Sequence, residues 1–271
     1  MTVVDFHVHT SPSLVPRHHD DLSIGAVLAR AGVTTYVLKA HEGSTAERAK
    51  HAGGGAVGSI VLNSPVGGAN PDAVKVAAAF GARVAWMPTI SAHAHQAAEG
   101  SDELAVHRGV RFRSVPVTDG ERVRPEWAEV FDEVAAADMV LAAGHIGMDE
   151  AVAVFRLARS RGVQRFLVNH PLMPFLGWRT QHVDQLVELG AYVELGVLAD
   201  LLVPAGEESA TRRLAAVYPD SLLVFGSDLG HCDYPDAVPG IEQWMDAATA
   251  AIGADTVERL VTVNGKELLT R

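Results

Sequence analysis

The feature of this sequence that most constrains its fold is an alternation of short apolar strands and amphipathic helices, repeated eight times. Strands that are apolar on both faces and separated by helices are typical of a parallel sheet covered on both sides. Eight such units close into a TIM (β/α)8 barrel, regular or distorted, and we expect one domain over residues 1–271. The predicted strands are Val3–Thr10, Val33–Lys39, Ser59–Asn63, Arg83–Pro88, Met139–Ala143, Arg165–Asn169, Ala191–Leu195 and Leu222–Gly226.

An open, doubly wound α/β sheet is the alternative fold, since the same alternation of strands and helices also produces it. The first strand is not followed by a G-x-G-x-x-G motif, which disfavours the dinucleotide-binding version of that fold. We therefore expect the closed barrel.

The alternation breaks once, in a long insertion between Ser91 and Arg124 that follows the fourth strand. Within it, the Asp119-Gly120 pair predicts a small hairpin. A loop of this length in a compact domain is usually functional or mobile. We expect the insertion to cover the active site.

Composition and charge exclude several classes of partner. The chain has 22 Lys and Arg against 33 Asp and Glu, and its net charge of −11 argues against binding to nucleic acid or anionic membranes. It has neither an apolar run long enough to span a membrane nor the start of a secretory signal. Cys232 is the single cysteine, which excludes an intrachain disulfide. We expect a cytoplasmic protein that acts on a small molecule, and whether it forms a homo-oligomer is left open.

Polar side chains follow the apolar strands at the points where several of them end. His7 and His9 close the first strand, and period-2 alternation puts both on one face with Val8 on the other. Because the carboxyl ends of barrel strands meet at one mouth, polar residues at those ends should converge there. Several imidazoles that converge in this way predict a metal site. The other members of the set are Lys39 and His41 after strand two, His145 after strand five, His170 after strand six and Asp228 after strand eight.

This order of motifs resembles the amidohydrolase superfamily, which has His-x-His after strand one, histidines after strands five and six, and an aspartate after strand eight. The resemblance extends over nearly the whole chain and implies a metal-dependent hydrolase with one or two divalent ions. Zinc suits such ligands best, with manganese or iron as alternatives. Asp228 would take the proton from the attacking water and return it to the leaving group. The ligands that the resemblance implies are His7, His9, His145, His170 and Asp228.

The position of the lysine departs from this pattern. Binuclear amidohydrolases commonly carry a carboxylated, bridging lysine after strand four, where this chain has residues 86–89 without a lysine. Lys39 and His41 follow strand two instead, which resembles a smaller amidohydrolase-like group with Lys-x-His at this point. Lys39 could be carboxylated and bridge two metals, or it could be an ammonium that polarises the substrate. His41 could be the ligand, as in polymerase-and-histidinol-phosphatase barrels, which also begin with His-x-His.

Four further residues are candidate substrate contacts. Arg17, in the loop after strand one, could bind an anionic group through its planar guanidinium, or it could pair with Asp20 or Asp21 at the surface. Glu194, which ends strand seven, could support a metal ligand from behind. His93 and His95 form a second His-x-His after strand four and could be metal ligands, substrate contacts or loop residues, while His231 could contact the substrate or support a ligand. The four candidate substrate contacts are therefore Arg17, His93, His95 and His231.

The predicted site is compatible with several functions. The first is hydrolysis of an amide, lactam, ester or related acyl bond in a small molecule by metal-activated water. Phosphoester hydrolysis and metal-dependent decarboxylation on the same barrel are alternatives. A non-catalytic metal-binding barrel is the fourth, and Asp228 argues against it because pure binding requires no base. A serine nucleophile is not expected, since the chain has no G-x-S-x-G motif.

Overall fold

Eight strands form the central sheet of the computed structural model, which describes residues 2–98, 106–107 and 109–270. The strands are β1 (Val3–Val8), β2 (Val33–Leu38), β3 (Ala56–Val61), β4 (Ala82–Trp86), β5 (Val140–Ala142), β6 (Arg165–Val168), β7 (Tyr192–Leu195) and β8 (Leu223–Phe225). All neighbouring strands run parallel, and β4 pairs directly with β5 across the insertion. The order of strands in the sheet is therefore their order in the sequence.

The sheet closes where the end of β1 meets the segment that follows β8. The His9 amide donates a hydrogen bond to the Leu229 carbonyl (2.9 Å), and the Asp228 amide donates one to the His7 carbonyl (2.8 Å). These bonds join the first strand to the last and produce a nearly closed parallel barrel. The predicted TIM barrel is confirmed.

Helices surround the barrel, and the apolar residues on the outer face of the strands pack against them. For example, the rings of Phe166 on β6 and Phe155 lie 4.7 Å apart, as measured between their centres. The helices are α1 (Ile24–Arg30), α2 (Ala46–Ala52), α3 (Pro71–Ala79), α4 (His93–Ala98), α5 (Trp127–Ala136), α6 (Met148–Ser160), α7 (Gln181–Glu188), α8 (Val197–Leu201), α9 (Ala210–Ala215), α10 (Ala237–Ile252), α11 (Ala254–Glu258) and α12 (Gly265–Thr270). Short 3₁₀ turns cover Ser64–Val66, Pro174–Leu176 and Asp220–Leu222, and Arg259–Asn264 is π-helical. Among the described residues, none of these helices has both the length and the apolar character needed to cross a membrane.

Apolar side chains fill the interior of the barrel below the mouth. The last helix, α12, contributes Leu268 and Leu269 to this cluster, and the Leu268 carbonyl accepts a hydrogen bond from Arg165 (3.3 Å) at the start of β6. The C-terminal helix α12 therefore covers the bottom of the barrel. The strand residues of the interior cluster are Val4, Phe6, Val37, Val61, Val84, Trp86, Val140, Ala142, Leu167, Tyr192 and Val224.

β1 is irregular near its end. Val8 packs in the outer core, as alternation predicts. Phe6 and His7 should lie on opposite faces, yet Phe6 belongs to the interior cluster and the His7 ring lies 5.1 Å from the interior Trp86 ring. The register of β1 against β2 shifts between Asp5 and Val8, and the Asp5 carboxylate accepts a hydrogen bond from the His7 amide (3.0 Å). This shift turns His7 toward the barrel axis.

The insertion after β4 contains α4 and two small antiparallel hairpins. The predicted hairpin at Asp119-Gly120 is confirmed, since Thr118–Asp119 pairs with Arg122–Val123. A second hairpin joins Val106–His107 to Val110–Arg111. Residues 99–105 and 108 lie outside the described part of the chain, and with them part of the predicted cover.

The loop after β1 is longer than the sequence indicates. A helix is predicted to open at Asp20 and Asp21, but α1 begins only at Ile24. The Asp20 carboxylate accepts a hydrogen bond from the Ser23 amide (2.8 Å), which forms a turn before the helix. The Asp21 carboxylate accepts one from Nε of Arg48 on α2 (2.8 Å). Both acidic residues therefore belong to the loop that borders the barrel mouth.

Candidate metal centre at the barrel mouth

Three polar side chains meet where the end of β1 lies beside the loop after β8. The Nε2 atoms of His7 and His9 lie 3.0 and 3.1 Å from the same oxygen, Oδ1 of Asp228. One donor atom from each residue lies within 4.8 Å of the other two. Two imidazole nitrogens and a carboxylate oxygen suit zinc and related divalent metals. These three residues therefore form a candidate metal centre.

The backbone at Asp228 is held in an unusual conformation that presents its carboxylate to the two histidines. Its φ of 52° lies in the left-handed region, which few residues other than glycine adopt. The preceding residue supports it, because Ser227 Oγ donates to the His7 carbonyl (3.1 Å) and its amide donates to Asp5 (2.8 Å). Burial opposes ionisation of Asp228, but the hydrogen bond from His9 and nearby positive charge hold its pKa below the usual value. Asp228 is therefore a carboxylate at neutral pH.

Glu194, at the end of β7, lies behind His7. Its carboxylate oxygens are 3.1 and 3.2 Å from His7 Nδ1, and it accepts a hydrogen bond from the His170 amide (3.2 Å). An imidazole that donates Nδ1–H to a carboxylate keeps the lone pair of Nε2 free for a metal. Burial raises the pKa of Glu194 well above its usual range, and the positive charge of Lys39 opposes that shift. Gly226 leaves room for the carboxylate, since a Cβ there would lie 2.5 Å from Glu194 Oε2.

Lys39 is enclosed in the interior directly after β2. It is 1% exposed, and its Nζ lies 2.9 Å from His7 Nε2 and 4.7 Å from the centre of the Trp86 ring. His7 Nε2 therefore faces both Asp228 and Lys39. Burial is the main reason that the pKa of Lys39 is lowered to about 8. This position is compatible with both forms considered for Lys39, the carboxylated one and the ammonium.

The other predicted histidine ligands line the same mouth through a series of ring contacts. His41 stacks on His9 with ring centres 5.0 Å apart, and its Nδ1 lies 2.9 Å from Thr89 Oγ1. The His145 ring lies 5.8 Å from that of His41 and 5.1 Å from that of His170. Burial is the main reason that the pKa of each mouth histidine is lowered, to about 4 for His9 and His170. The rings are therefore neutral at pH 7, which is the form that binds metals.

His170 is held in place by its neighbour in the sequence. Its φ is 30°, and its Nε2 lies 2.8 Å from Asn169 Nδ2 and 4.0 Å from Asp228 Oδ2. Asn169 also exchanges two hydrogen bonds with the backbone of Gly144 (2.9 and 3.0 Å), which ties the loops after β5 and β6 together. His170 Nδ1 is buried and has no hydrogen-bond partner among the described residues. Because Asn169 Nδ2 donates to Nε2, the unpaired Nδ1 carries the proton of the neutral ring, and a water or another acceptor would relieve its cost in free energy. The residues at the mouth fit a divalent metal in donor type and protonation.

Within its described residues, the insertion brings the side chain of His95 to the mouth. His95 on α4 stacks on His145 with ring centres 4.8 Å apart, and the two Nδ1 atoms are 2.9 Å apart. Phe175 contacts both rings, at 5.3 and 5.7 Å. His93 lies exposed on the same helix, and no described residue joins it to these rings. His231 bonds within its own loop, where its Nδ1 accepts a hydrogen bond from the amide two residues on (3.1 Å).

Arg17 lies at the border of the mouth, on the loop after β1. Its backbone forms an antiparallel bridge with the loop after β8, and its Nε donates to Ser13 Oγ (3.4 Å). Asp20 and Asp21, the partners considered for a surface pair, bond other groups instead. After burial, the positive charge of Arg17 is the largest cause of the lowered pKa of His9. The bridge to the loop after β8 therefore places Arg17 at the border of the candidate metal centre.

Several mouth residues were not predicted from the sequence. Asn63 donates to the His41 carbonyl (2.9 Å) and to Thr89 Oγ1 (2.7 Å), and Asn169 braces His170 as described above. Both asparagines end predicted strands. The search for metal-binding side chains at strand ends would have found them if it had included amides. Phe175 had no such signal, because it lies in an irregular loop.

A family model described as "Family of unknown function (DUF6282)" matches residues 2–194, which is more than half of the chain. The match includes β1 and ends at Glu194, so it covers every candidate ligand except Asp228. No curated protein matches the sequence.

Several solved structures share the fold over almost their full length. An amidohydrolase II structure is 13% identical, with a TM-score of 0.62 and coverage of 100% of both chains. An amidohydrolase from Pseudomonas aeruginosa is 11% identical, with a TM-score of 0.63 and coverage of 99% of this chain and 95% of its own. A 2,6-dihydroxybenzoate decarboxylase bound to 2,6-dihydroxybenzoate is 12% identical, with a TM-score of 0.60 and coverage of 100% of both chains. At such identities the similarity shows the fold, which is that of amidohydrolase-superfamily barrels.

Proposed function

The chain belongs to the DUF6282 family, and we propose that it is a metal-dependent enzyme that acts on a small molecule. The observation that supports this most is the convergence of His7 and His9 on Asp228, with Glu194 behind His7. A site that only stores metal requires donors, whereas this one also holds a carboxylate in a strained conformation beside neutral imidazoles. The activity we favour is hydrolysis of an amide, lactam, ester or related acyl bond.

His7, His9 and Asp228 would hold the first cation, for which zinc is favoured over manganese or iron. His145 and His170 would be the donors for a second ion, with Lys39 or His41 able to complete either position. A bound divalent cation supplies Lewis acidity: it lowers the pKa of water to about 7 and polarises a carbonyl oxygen.

The residues of the chain would divide the remaining tasks. Asp228 accepts the proton of the attacking water at its carboxylate and returns it to the leaving group. Glu194 holds His7 in the tautomer whose Nε2 faces the centre. Lys39 or His41 orients and polarises the substrate oxygen, and His95 contacts the substrate from the insertion.

Decarboxylation is the second candidate activity. The fold shared with a 2,6-dihydroxybenzoate decarboxylase over both full chains supports it. Asp228 in its protonated form could deliver a proton to the carbon that loses carbon dioxide, so the same carboxylate would act as an acid.

Metal content tests the proposal directly. Protein from cells supplied with zinc, manganese and iron should contain one to two equivalents of metal by elemental analysis. The double variant His7→Ala/His9→Ala should lose most of that metal, while His51→Ala, an exposed histidine on α2, should not. A supplemented wild-type protein without metal would contradict the proposal.

The role of Asp228 is tested by Asp228→Asn. An amide oxygen can still ligate a metal but cannot take up a proton, so the variant should keep most of its metal and lose turnover at least about a hundredfold. Turnover is measured on aryl esters, lactones and N-acyl amino acids, with aryl phosphates and hydroxybenzoates to detect the alternative activities. Unchanged turnover in the variant would remove Asp228 as the base.

A further inference from the structure

Arg17 is a half-buried cation whose terminal nitrogens lack protein partners. Its Nε donates to Ser13 Oγ (3.4 Å), but within the described residues neither Nη atom has an acceptor. Arg48, which lies nearby, differs: its Nε and Nη2 donate to the Asp21 carboxylate (2.8 and 2.9 Å) and Nη2 also to the Thr10 carbonyl (3.1 Å). No Arg17 nitrogen is among the buried polar atoms without a partner, so both Nη atoms are accessible and can donate hydrogen bonds to a bound ligand.

The segment that carries Arg17 is fixed on both sides of the mouth. Glu42, from the loop after β2, accepts hydrogen bonds from Ser13 Oγ (2.9 Å) and from the next amide (2.7 Å). On the other side, the Pro16 carbonyl accepts a backbone hydrogen bond from the loop after β8 (3.3 Å). The His18 amide donates one to the same loop (2.9 Å). Because both flanks are anchored, the backbone of this segment loses little conformational entropy when Arg17 binds a ligand.

The charges around Arg17 indicate which anion it can bind. Glu42 and Asp228 both act on the guanidinium electrostatically, yet neither forms an ion pair with it. Lys39 is buried against His7 and is 1% exposed. The charges of the guanidinium and the two carboxylates sum to −1, so they repel a phosphate dianion more strongly than a carboxylate monoanion. A carboxylate matches the planar fork of arginine through two parallel hydrogen bonds.

We propose that Arg17 forms a carboxylate subsite beside the metal centre, and that the substrate is a small carboxylic acid anchored there through that group. The inference rests on the proposed function, since it assigns the substrate class of the same site. In a hydrolysis, the acid would present its acyl bond to Asp228 while Arg17 holds the carboxylate.

The test compares acids with their neutral isosteres on the metal-loaded protein. Binding of benzoate, benzamide, butyrate and butyramide is measured by calorimetry on the wild type, Arg17→Met, Arg17→Lys and Arg83→Met. The wild type should bind each acid more tightly than its amide. In Arg17→Met this preference should fall at least about tenfold, the loss expected for a charge-assisted hydrogen-bonded pair. Arg17→Lys should lie between the two, because lysine keeps the charge but not the fork.

Arg83→Met is the matched control, since Arg83 is exposed at the start of β4, at the end of the barrel opposite the mouth, and should keep the full preference. Metal content is measured on every sample. A wild type that holds metal but does not prefer either acid, or an Arg17→Met variant that keeps the preference, overturns the subsite. Tighter binding of phenyl phosphate than of benzoate overturns the carboxylate assignment. A wild type without metal contradicts the proposed function instead, so the two failures can be told apart.

Discussion

His7 uses both of its ring nitrogens, and each faces different partners. Nδ1 meets the Glu194 carboxylate at 3.1 Å, while Nε2 lies 3.0 Å from Asp228 and 2.9 Å from Lys39. The carboxylate on one side therefore decides which nitrogen can face a metal on the other. His9 has no comparable support, because its Nδ1 is buried without a partner in the described part of the chain.

Replacement of the residue behind His7 should weaken metal binding. Glu194→Gln removes the negative charge but keeps a similar shape, so affinity for zinc should fall about tenfold or more with little change in secondary structure. Competition with a chromophoric chelator measures the affinity. Glu188→Gln, an exposed position on α7, is the control and should bind zinc as the wild type does. An unaltered affinity in Glu194→Gln would contradict the orienting role.

At the scale of the elements, the loop after β1 is held in position by a side chain from α2. Arg48 on α2 joins the Asp21 carboxylate to the Thr10 carbonyl, and its side chain is only 18% exposed. Thr10 also donates to Asp21, so one network holds the start and the end of the loop together. Arg17 lies between those two points, and its position therefore depends on this network.

Removal of the hydrogen bonds that Arg48 makes to the loop should lower the stability of the fold. Arg48→Met leaves the partly buried Asp21 carboxylate without its cation, and the free energy of unfolding should fall by about 2–3 kcal/mol. Urea unfolding followed by circular dichroism measures the change. Lys50→Met, an exposed cation on the same helix, should cost less than about 0.5 kcal/mol. Equal losses in the two variants would mean that the network does not stabilise the loop.

At the scale of the whole molecule, many titratable groups are buried at one end of the barrel. Burial is the main cause that lowers the pKa of His7, His9, His41, His145 and His170, and it raises the pKa of Asp5, to about 7, and of Glu194. Below pH 6.5 the histidines of the unfolded chain take up protons, whereas in the folded state His9 and His170 stay neutral down to about pH 4. The acids act in the opposite direction, since folded Asp5 binds its proton at higher pH than the unfolded chain does.

The metal-free protein should therefore lose stability as the pH falls from 6.5 toward 4, because five histidines outweigh two acids. The free energy of unfolding should be about 2 kcal/mol or more lower at pH 5 than at pH 7. Urea unfolding of chelator-treated protein at several pH values measures this. His170→Asn should reduce the slope. A flat profile would show that the mouth histidines are not protected from protonation.

The sequence predicted both the barrel and the convergence of its polar residues at one end, and the physical reason is the same for both. Parallel strands connected by helices bring all their carboxyl ends to one rim, so polar residues at those ends must approach one another whatever the loops do. His7, His9 and Asp228 were found in this way, although 219 positions separate His9 from Asp228. The roles assigned to these residues stay predictions.

The sequence by itself thus determined the eightfold alternation, the closed barrel and the end of it that carries the polar residues. Only the tertiary structure decided which atoms meet. The shift in β1 that turns His7 inward breaks the period on which a sequence pattern depends. The contact of His95 with His145 and the open guanidinium of Arg17 depend on the paths of two loops. Strand periodicity is a local property that residue order can encode directly, whereas loop paths and side-chain directions result from packing among residues far apart in the chain.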